Sequence, residues 1–536
     1  MALNRFTNLE RKLNGDASLR KAYNQFMLEY ENLGHMIKIN KPEEADYSYY
    51  MPHHCVQKAD SLTTKHRVVF DASASTSSGY SINDLQMIGP VIQADLFSIL
   101  IRFCQHKIAV TADVSKMYRQ ILIDPNQRSL QRILWRDGAD KDVSVYELNT
   151  VTYGTAAASY LAIRSLLQTV LENENLQEAS LRIKRDSYVD DLITDFDSVE
   201  EATKISEQIT NILRSYGFEL AKWNSNITKR FSDIHTLDST SNIISLGNDQ
   251  ITKTLGLFWA HERDNLSYKI KLKHYKDVNK RTILSIIGQI FDPLGLLSPI
   301  TVKAKILLQK LWETKVTWDE LLPMEIYSDW VGFCATLKAI ENIEIPRFIL
   351  GECKQKFQIH GFADASEKAY GCCIYLRSEN GDYVNTRLLC AESKVAPVKI
   401  ITIPRLELCA CLHLAKMLTI VKGSLTLNLH KIYLWTDSKI VLAWLNANAS
   451  TLKTFVANRI IEIQAITNLE QWHHVKSKDN PADLLTRGLN GNELKDLKLW
   501  WNGPRWLEFD RQAWPLQTKD DIDNLPELKF SLIPFL

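Results

Sequence analysis

The chain lacks an excess of charge of either sign. Across 536 residues, 64 Lys and Arg face 63 Asp and Glu, a formal net charge of +1. Bulk charge therefore gives no pointer to nucleic acid, although an uneven distribution still allows a basic groove. A cysteine framework is also missing. The nine cysteines are scattered, and only Cys372-Cys373 and Cys409/Cys411 lie close together. An odd count without regular spacing fits a reducing compartment and excludes a secreted disulfide scaffold. No Cys/His set has zinc-finger spacing. No run of ~18 apolar residues is present to span a membrane. The start, MALNRFTNLERKLNG, is charged too early and too often for a signal peptide. A soluble, intracellular, cytoplasmic protein is expected. Internal repeats and long low-complexity linkers are absent as well.

What is present is enough apolar residue, 45%, to build several cores. At ~100–200 residues per domain the length suggests about three to five units. Residues 1–60 read as helical, with LRKAYNQFMLEYENLGH apolar at helical spacing. HRVVFDAS (66–73) reads as a short strand and KIAVTADVS (107–115) as a buried strand ending in an acid. SYVDDLITDF (187–196) reads as two strands around a turn at paired acids. SVEEATKISEQITNILRSYG is the clearest amphipathic helix, with Ser198 and Glu201 spaced as a capping box and Gly217 at its C′ position. Strands are expected within 254–276, then a helical region to about 345. From about 355 a fresh strand set begins: KFQIHGFADAS, GCCIYLRS and VNTRLLCAES. Helix RLELCACLHLAKMLTIV, strand KIYLWTDS and short helix KIVLAWLN follow. An α/β order that restarts on its own strands marks a separate domain.

Two sets of acids carry the chemistry. In the first, Asp113 ends an apolar strand, and Asp190 and Asp191 sit at a strand turn. Nucleotidyl transfer needs two metal ions ~3.5–4 Å apart. Hard, oxygen-seeking Mg²⁺ takes carboxylates held on rigid backbone. A bare Asp pair is more often an ordinary turn, but apolar strands flank this one on both sides and Val189 lies between Tyr188 and the acids.

The YVDD box resembles the signature of retroviral and retrotransposon reverse transcriptases, and ADVSKMYRQILI resembles their first acid box. RVVFDASA followed by SINDLQMIGP, TVTYGTAAASYLAIR, GFELAKWNSN and FDPLGLLSP resemble the Pao/BEL group of LTR retrotransposons, in that group's order, over roughly 45–310. The resemblance implies Asp113 and Asp190 as a metal-binding pair with Asp191 as third acid. It implies Tyr118 as the residue under the sugar that excludes a 2′-hydroxyl, the alternative being a core tyrosine. Lys65 and Arg67 fall where fingers residues grip the triphosphate, and Tyr153 and Gly154 fall in the nucleotide-binding block. Lys222 falls where a lysine protonates pyrophosphate. Gly256 and Trp259 fall where the primer terminus is held. Many relatives have a Ser-Pro pair where this chain has Ser159-Tyr160, so the rigidity a proline would lend is lost. The basic run SYKIKLKHYKDVNKR carries Lys269, Lys271, Lys273, Lys276, Lys280 and Arg281 against Asp277. Lys271, Lys273 and Lys276 are candidate phosphate contacts, the alternative being a solvated face.

The second set is Asp364, Glu407, Asp437 and Asp483, spread over strand ends and helix starts. Each alone would be a surface acid. Together they resemble the RNase H fold, whose nuclease site takes Asp, Glu, Asp and Asp in this order and binds two Mg²⁺. WTDS and KDNPADLLTRG resemble the retrotransposon version, over roughly 355–490. The mobile histidine of many RNases H is absent from the loop before Asp483. Lys476, Lys478 and His474 are the candidates to replace it.

The expected fold is thus α/β and α+β multidomain: a right-hand polymerase followed by an RNase H-like α/β domain. The expected divisions are a helical fingers extension (1–60), fingers and palm (61–250), thumb and connection (251–350), RNase H (355–490) and a Trp-rich tail (491–536). The expected cofactor is Mg²⁺, with Mn²⁺ as the alternative, two ions per site. The expected partners are RNA template, DNA primer, RNA–DNA hybrid and dNTPs. No Asp-Thr/Ser-Gly protease box and no integrase zinc set or acid triad is found. That suggests a piece or a truncated copy of a longer element. The rival reading is a domesticated or decayed copy that binds nucleic acid without catalysis. The tail LWWNGPRWLEFDRQAWP packs on the core or on a partner, and the sequence leaves both open.

Overall fold

The computed structural model describes residues 1–42, 45, 47–57, 66–138, 140–173, 175–227, 244–246, 255–270, 278–351, 356–381, 383–515 and 525–529, with backbone alone at 57, 244–246, 255 and 256. Lys65, Lys271, Lys273 and Lys276 lie outside the described residues. The chain divides into two compact units. One comprises Met1–Ala94, Ala112–Leu192 and Lys204–Lys222; the other comprises Asp95–Thr111, Ile193–Thr203 and Trp223–Leu536. No helix among the described residues is long and apolar enough to cross a membrane.

The first unit opens with helices Ala2–Asn14 and Ala17–Asn32. The Asp16 side chain accepts the Leu19 N–H at the start of the second. Their apolar stripe, Phe6, Leu9, Leu13, Leu19, Tyr23, Met27 and Tyr30, joins Val68, Phe70 and Trp135 in one core. The helical reading of residues 1–60 ends there. Met36–Ile39 and His53–Gln57 are strands, paired with Ser144–Leu148 and His66–Phe70. Segments of four or five residues carry too little alternation to reveal a strand, and tertiary pairing decides them. A four-stranded sheet has the order Ser187–Tyr188, Asp191–Phe196, Ile108–Val114, Leu220–Ser225. Both expected ends of helix Val199–Ser215 are present. Glu201 N–H donates to Ser198 Oγ, and Gly217 (φ +82°) follows the last turn while Phe218 N–H reaches Leu213 O. The reciprocal Glu201 bond goes to Asp197 N–H, one residue before the expected cap.

In the second unit a four-stranded sheet runs Ile244–Leu246, Leu255–Ala260, Asn265–Ile270, Glu344–Pro346. The expected helical stretch is three helices, Lys280–Ile287, Ser298–Glu313 and Met324–Leu337. FDPLGLLSP breaks the run. Asp292 accepts from Leu296 N–H, Leu297 N–H and the Tyr268 hydroxyl. At Gly295 (φ +69°) a Cβ would lie 1.7 Å from Ala391 O, so only glycine lets this turn lie against strand Tyr383–Val395. The basic run is not one face. Lys280 is buried over the Trp312 ring at 3.8 Å, and Arg281 makes a two-pronged bond to Asp319.

The five-stranded sheet has the order Tyr383–Val395, Ala369–Asn380, Lys356–Ala365, Leu429–Thr436, Trp472–His474. The first three strands pair antiparallel and the last two join in parallel. Helix Ile403–Ser424 covers one face, where Gly361 leaves room for Leu414. The Trp-rich tail covers the other. Trp506 packs on Trp435 at 4.7 Å, and Trp514 meets His360 edge-on at 4.9 Å. Tyr375 donates to Trp500 O, and Arg377 donates to Leu507 O. The tail is therefore core.

Arg347 organises one region of this unit from a fully buried position. It holds Asp264 through Nε and a second guanidinium nitrogen at 2.6 and 2.9 Å. It also donates to the carbonyls of Phe103, His106 and Lys107. Replacing Arg347 with Met strands the Asp264 charge and three carbonyls. The expected loss is ~3–5 kcal/mol, read as a lower urea midpoint, with partial recovery in Arg347→Met/Asp264→Asn.

Candidate active sites

The first carboxylate cluster is set by three strand segments. Strand Ile108–Val114 is buried at every position but Asp113, which is half-buried. Tyr188 and Asp191 pair across a two-residue turn, Val189-Asp190. Val189 takes φ +54°, a left-handed conformation costly for a β-branched residue, by ~1–3 kcal/mol. Burial of its side chain and the bond from its N–H to Gln93 Oε1 (3.2 Å) hold it there. Val114 N–H donates to Asp190 O at 2.6 Å, which locks the two acid-bearing strands together. Burial first, then the Asp113 charge, pushes the Asp190 carboxyl above its usual range. Lys222, also left-handed at φ +51°, places its ammonium 3.2 Å from Asp113 Oδ2.

The expected nucleotide-side residues surround these acids. Tyr118 lies on a short 3-10 turn, and its hydroxyl meets Ser159 Oγ at 3.4 Å. Burial raises its phenol, and among the lesser causes is the charge of Asp190. Arg67 stacks over the Tyr153 ring at 5.4 Å, and Tyr153 donates to Val68 O. Gly154 has φ +105°, and a Cβ there would lie 2.4 Å from Phe70 O. The Tyr153-Gly154 step thus holds the strand that carries Arg67. Asn83 accepts Ala156 N–H and donates to Gly154 O. Where relatives have proline, the Tyr160 ring lies so close to Gly89 that a Cβ there would be 2.4 Å from it. Ring-on-backbone packing supplies contact in place of the proline's stiffness.

The primer-side expectation meets a different environment. Trp259 is fully buried, donates to Asp264 Oδ1 at 2.9 Å and packs edge-on to Phe103. Its side chain is a core element. Gly256 is described by backbone alone, paired with Lys269.

The second cluster gathers all four expected acids. Asp364 is raised to about 7, first by burial and then by the charges of Asp437, Asp483 and Glu407. Glu407 and Asp483 are raised as well, each chiefly by burial. Hydroxyls hold the set. Thr486 donates to Asp364 Oδ2 at 2.7 Å, Ser477 donates to Asp437 Oδ2 at 2.6 Å, and Ser438 bonds Glu407. Arg487 pairs with Asp483 at 2.7 Å. Buried Asn480 donates to Ala363 O and accepts Ala482 N–H, tying the first strand to the start of the Asp483 helix.

Sequence reading missed these supporting residues, although WTDS and KSKDNPADLLTRG contain them. Polar residues beside an acid are too common to mark without the fold. In the 476–480 loop, Ser477 is the residue bonded to an acid. His474 lies in the edge strand opposite Thr436. His473 is turned toward Tyr433 and Trp435, and burial lowers it to about 4.

The residues suit a hard cation by donor type. Asp437 Oδ1 is buried with no hydrogen-bond partner, and the mutual repulsion on Asp364 is what a divalent ion would relieve. Among the described residues, no three His, Cys, Asp or Glu side chains already stand together as a metal-holding group. The carboxylates would have to draw inward on binding.

No curated protein matches the chain. Among solved structures, a foamy viral protease-reverse transcriptase in complex with double-stranded DNA has TM-score 0.55 at 14% identity, over 85% of this chain and 69% of that one. The same foamy viral enzyme type with an RNA/DNA hybrid has TM-score 0.51 at 14% identity, over 85% of this chain and 53% of that one. The likeness is one of fold. Residues 279–438 match the family described as Pao retrotransposon-like RNaseH-like domain. The chain thus carries a Pao retrotransposon RNaseH-like domain within a fold shared with a retroviral reverse transcriptase.

Proposed function

We propose that the chain is an RNA-directed DNA polymerase with ribonuclease H activity, copying retrotransposon RNA and cutting the RNA of the resulting hybrid. The observation that carries this reading is the pair of separate carboxylate clusters, each built from strand ends. Asp113, Asp190 and Asp191 belong to the first unit; Asp364, Glu407, Asp437 and Asp483 belong to the second. In this reading residues 61–250 are fingers and palm, 251–350 thumb and connection, and 355–490 the nuclease.

Two Mg²⁺ ions, when bound at each cluster, supply activation of the attacking oxygen and stabilisation of the leaving oxygen. The chain's own residues do the rest. Asp113 and Asp190 hold the polymerase ions, and Asp191 supports them. Arg67 meets triphosphate charge. Tyr118 lies under the deoxyribose and leaves no room for a 2′-oxygen. Lys222 neutralises Asp113 in the metal-free protein and, released from it, donates a proton to pyrophosphate. In the nuclease, Ser477 and Thr486 orient Asp437 and Asp364. RNA template, DNA primer and hybrid are recognised through backbone and 2′-hydroxyls more than bases.

Three outcomes are expected. On poly(rA) with oligo(dT), Asp190→Asn abolishes extension and leaves hybrid cleavage largely intact, while Asp437→Asn does the reverse. Loss of both activities in a folded single variant would overturn the two-site reading.

Tyr118→Ala raises ribonucleotide relative to deoxyribonucleotide incorporation, measured as the ratio of kcat/KM. An unchanged ratio would place the sugar gate elsewhere.

The third outcome is a pH effect. With its carboxyl raised to about 7, Asp364 holds a proton in the folded, metal-free protein that the unfolded chain releases near pH 4. Stability therefore falls as pH rises through that window. Asp437→Asn removes a repelling charge, so in EDTA the variant should be more stable than the parent at pH 8, by on the order of 1 kcal/mol. The urea midpoints should converge toward pH 4.

A further inference from the structure

A cleft of about 330 Å³ lies in the second unit, between the edge strand Tyr383–Val395 and the tail. Ile345 and Leu388 form its apolar wall, and Arg387, Lys495, Lys498 and half-buried Trp501 stand around it. Among the described residues those three cations have no acidic partner. Two acids also line the cleft. Glu344 is already engaged by Arg263 and Asn265, each at 3.1 Å, which leaves Asp496 alone against three positive charges. The Trp501 indole is fixed by bonds from its N–H to Leu494 O and Lys495 O, so its ring is pre-set.

This cleft is not part of the nuclease cluster. Arg387 is opposite Leu376, and Leu376 is opposite Ile359. Asp364 lies five residues further along that strand, or ~17 Å at ~3.3 Å per residue. The cleft is thus toward the other end of the sheet, and no step of the proposed reactions uses it.

Three uncompensated cations on a concave apolar wall focus positive potential. A rigid indole among them adds a stacking platform, the combination that binds single-stranded nucleic acid without base selectivity. The volume is at the small end of the range for ligand sites, ~300–1,000 Å³, enough for one base and its phosphate. We propose that this cleft holds one nucleotide of a single-stranded nucleic acid, its base on Trp501 and its phosphate on Arg387, Lys495 and Lys498.

The test uses the full chain in EDTA with a U12 RNA carrying 5-iodouridine, photocrosslinked and mapped by mass spectrometry. A crosslink on the peptide containing Trp501 is expected. In Arg387→Ala/Lys495→Ala/Lys498→Ala its yield should fall about tenfold, and its log–log salt dependence should flatten by up to ~2, at ~0.7 per phosphate contact. Trp501→Leu should weaken protection of the 495–505 region by U12, read by hydrogen exchange, with an unchanged salt slope. Hybrid cleavage at the parental rate in both variants serves as the folding control. Absence of a crosslink on that peptide, or one indifferent to the triple variant, would overturn the site. Competition by free UMP as effective as by unmodified U12 would overturn the assignment to a strand and make the ligand a mononucleotide.

Discussion

Like charges held side by side are the constraint around which both sites are built. Asp364 and Asp190 are each lifted by burial and then by a neighbouring carboxylate. That arrangement opposes folding unless the backbone is fixed by other means. In the first cluster the means are strand pairing, the Val114–Asp190 bond and the Lys222 counter-charge on Asp113. In the second they are hydroxyls, from Ser477, Thr486 and Ser438, which accept the geometry without neutralising the charge. A cluster kept negative in this way has a strong preference for a divalent ion, and Asp437 Oδ1 has no other partner.

The scaffolding around these acids relies on places where one residue type alone fits. Gly154 passes close to Phe70 O, and Gly295 lies against Ala391 O. Val189 accepts a left-handed backbone at the tip of the acid turn because its side chain is buried and its N–H is bonded. Such positions concentrate where a loop must meet a strand edge or present a charged side chain. Arg347 does comparable work with a side chain, satisfying three carbonyls and Asp264 inside the second unit.

The aromatic tail closes the nuclease sheet. One face of strand Lys356–Ala365 carries His360 and Phe362 and would be open without it. Trp435, Trp506 and Trp514 fill that face, so the sheet has cover on both sides as an α/β sheet requires. The tail also leaves Trp501 at the sheet edge with cations about it, which makes one segment both a core element and a candidate binding surface.

The sequence by itself determined the acid-bearing elements. Apolar strands ending in Asp113 and Asp437, the paired acids after Tyr188 and the amphipathic helix from Val199 all carry periodicity strong enough to read. It also ordered the nuclease strands and helices, because each is long and flanked by clear breakers. Tertiary structure alone decided the rest. Strands Met36–Ile39 and His53–Gln57 exist because partners pair with them, and their own five or fewer residues carry no period. Trp259 reads as a primer contact by motif and is buried by packing. The tail's aromatics read equally as core or interface until a sheet face is there to receive them. Ser477, Thr486 and Asn480 acquire meaning only when the fold brings them to acids or strands 40 to 122 residues away. Local periodicity is written within a few turns of chain, whereas burial and side-chain partnership depend on which distant segments meet.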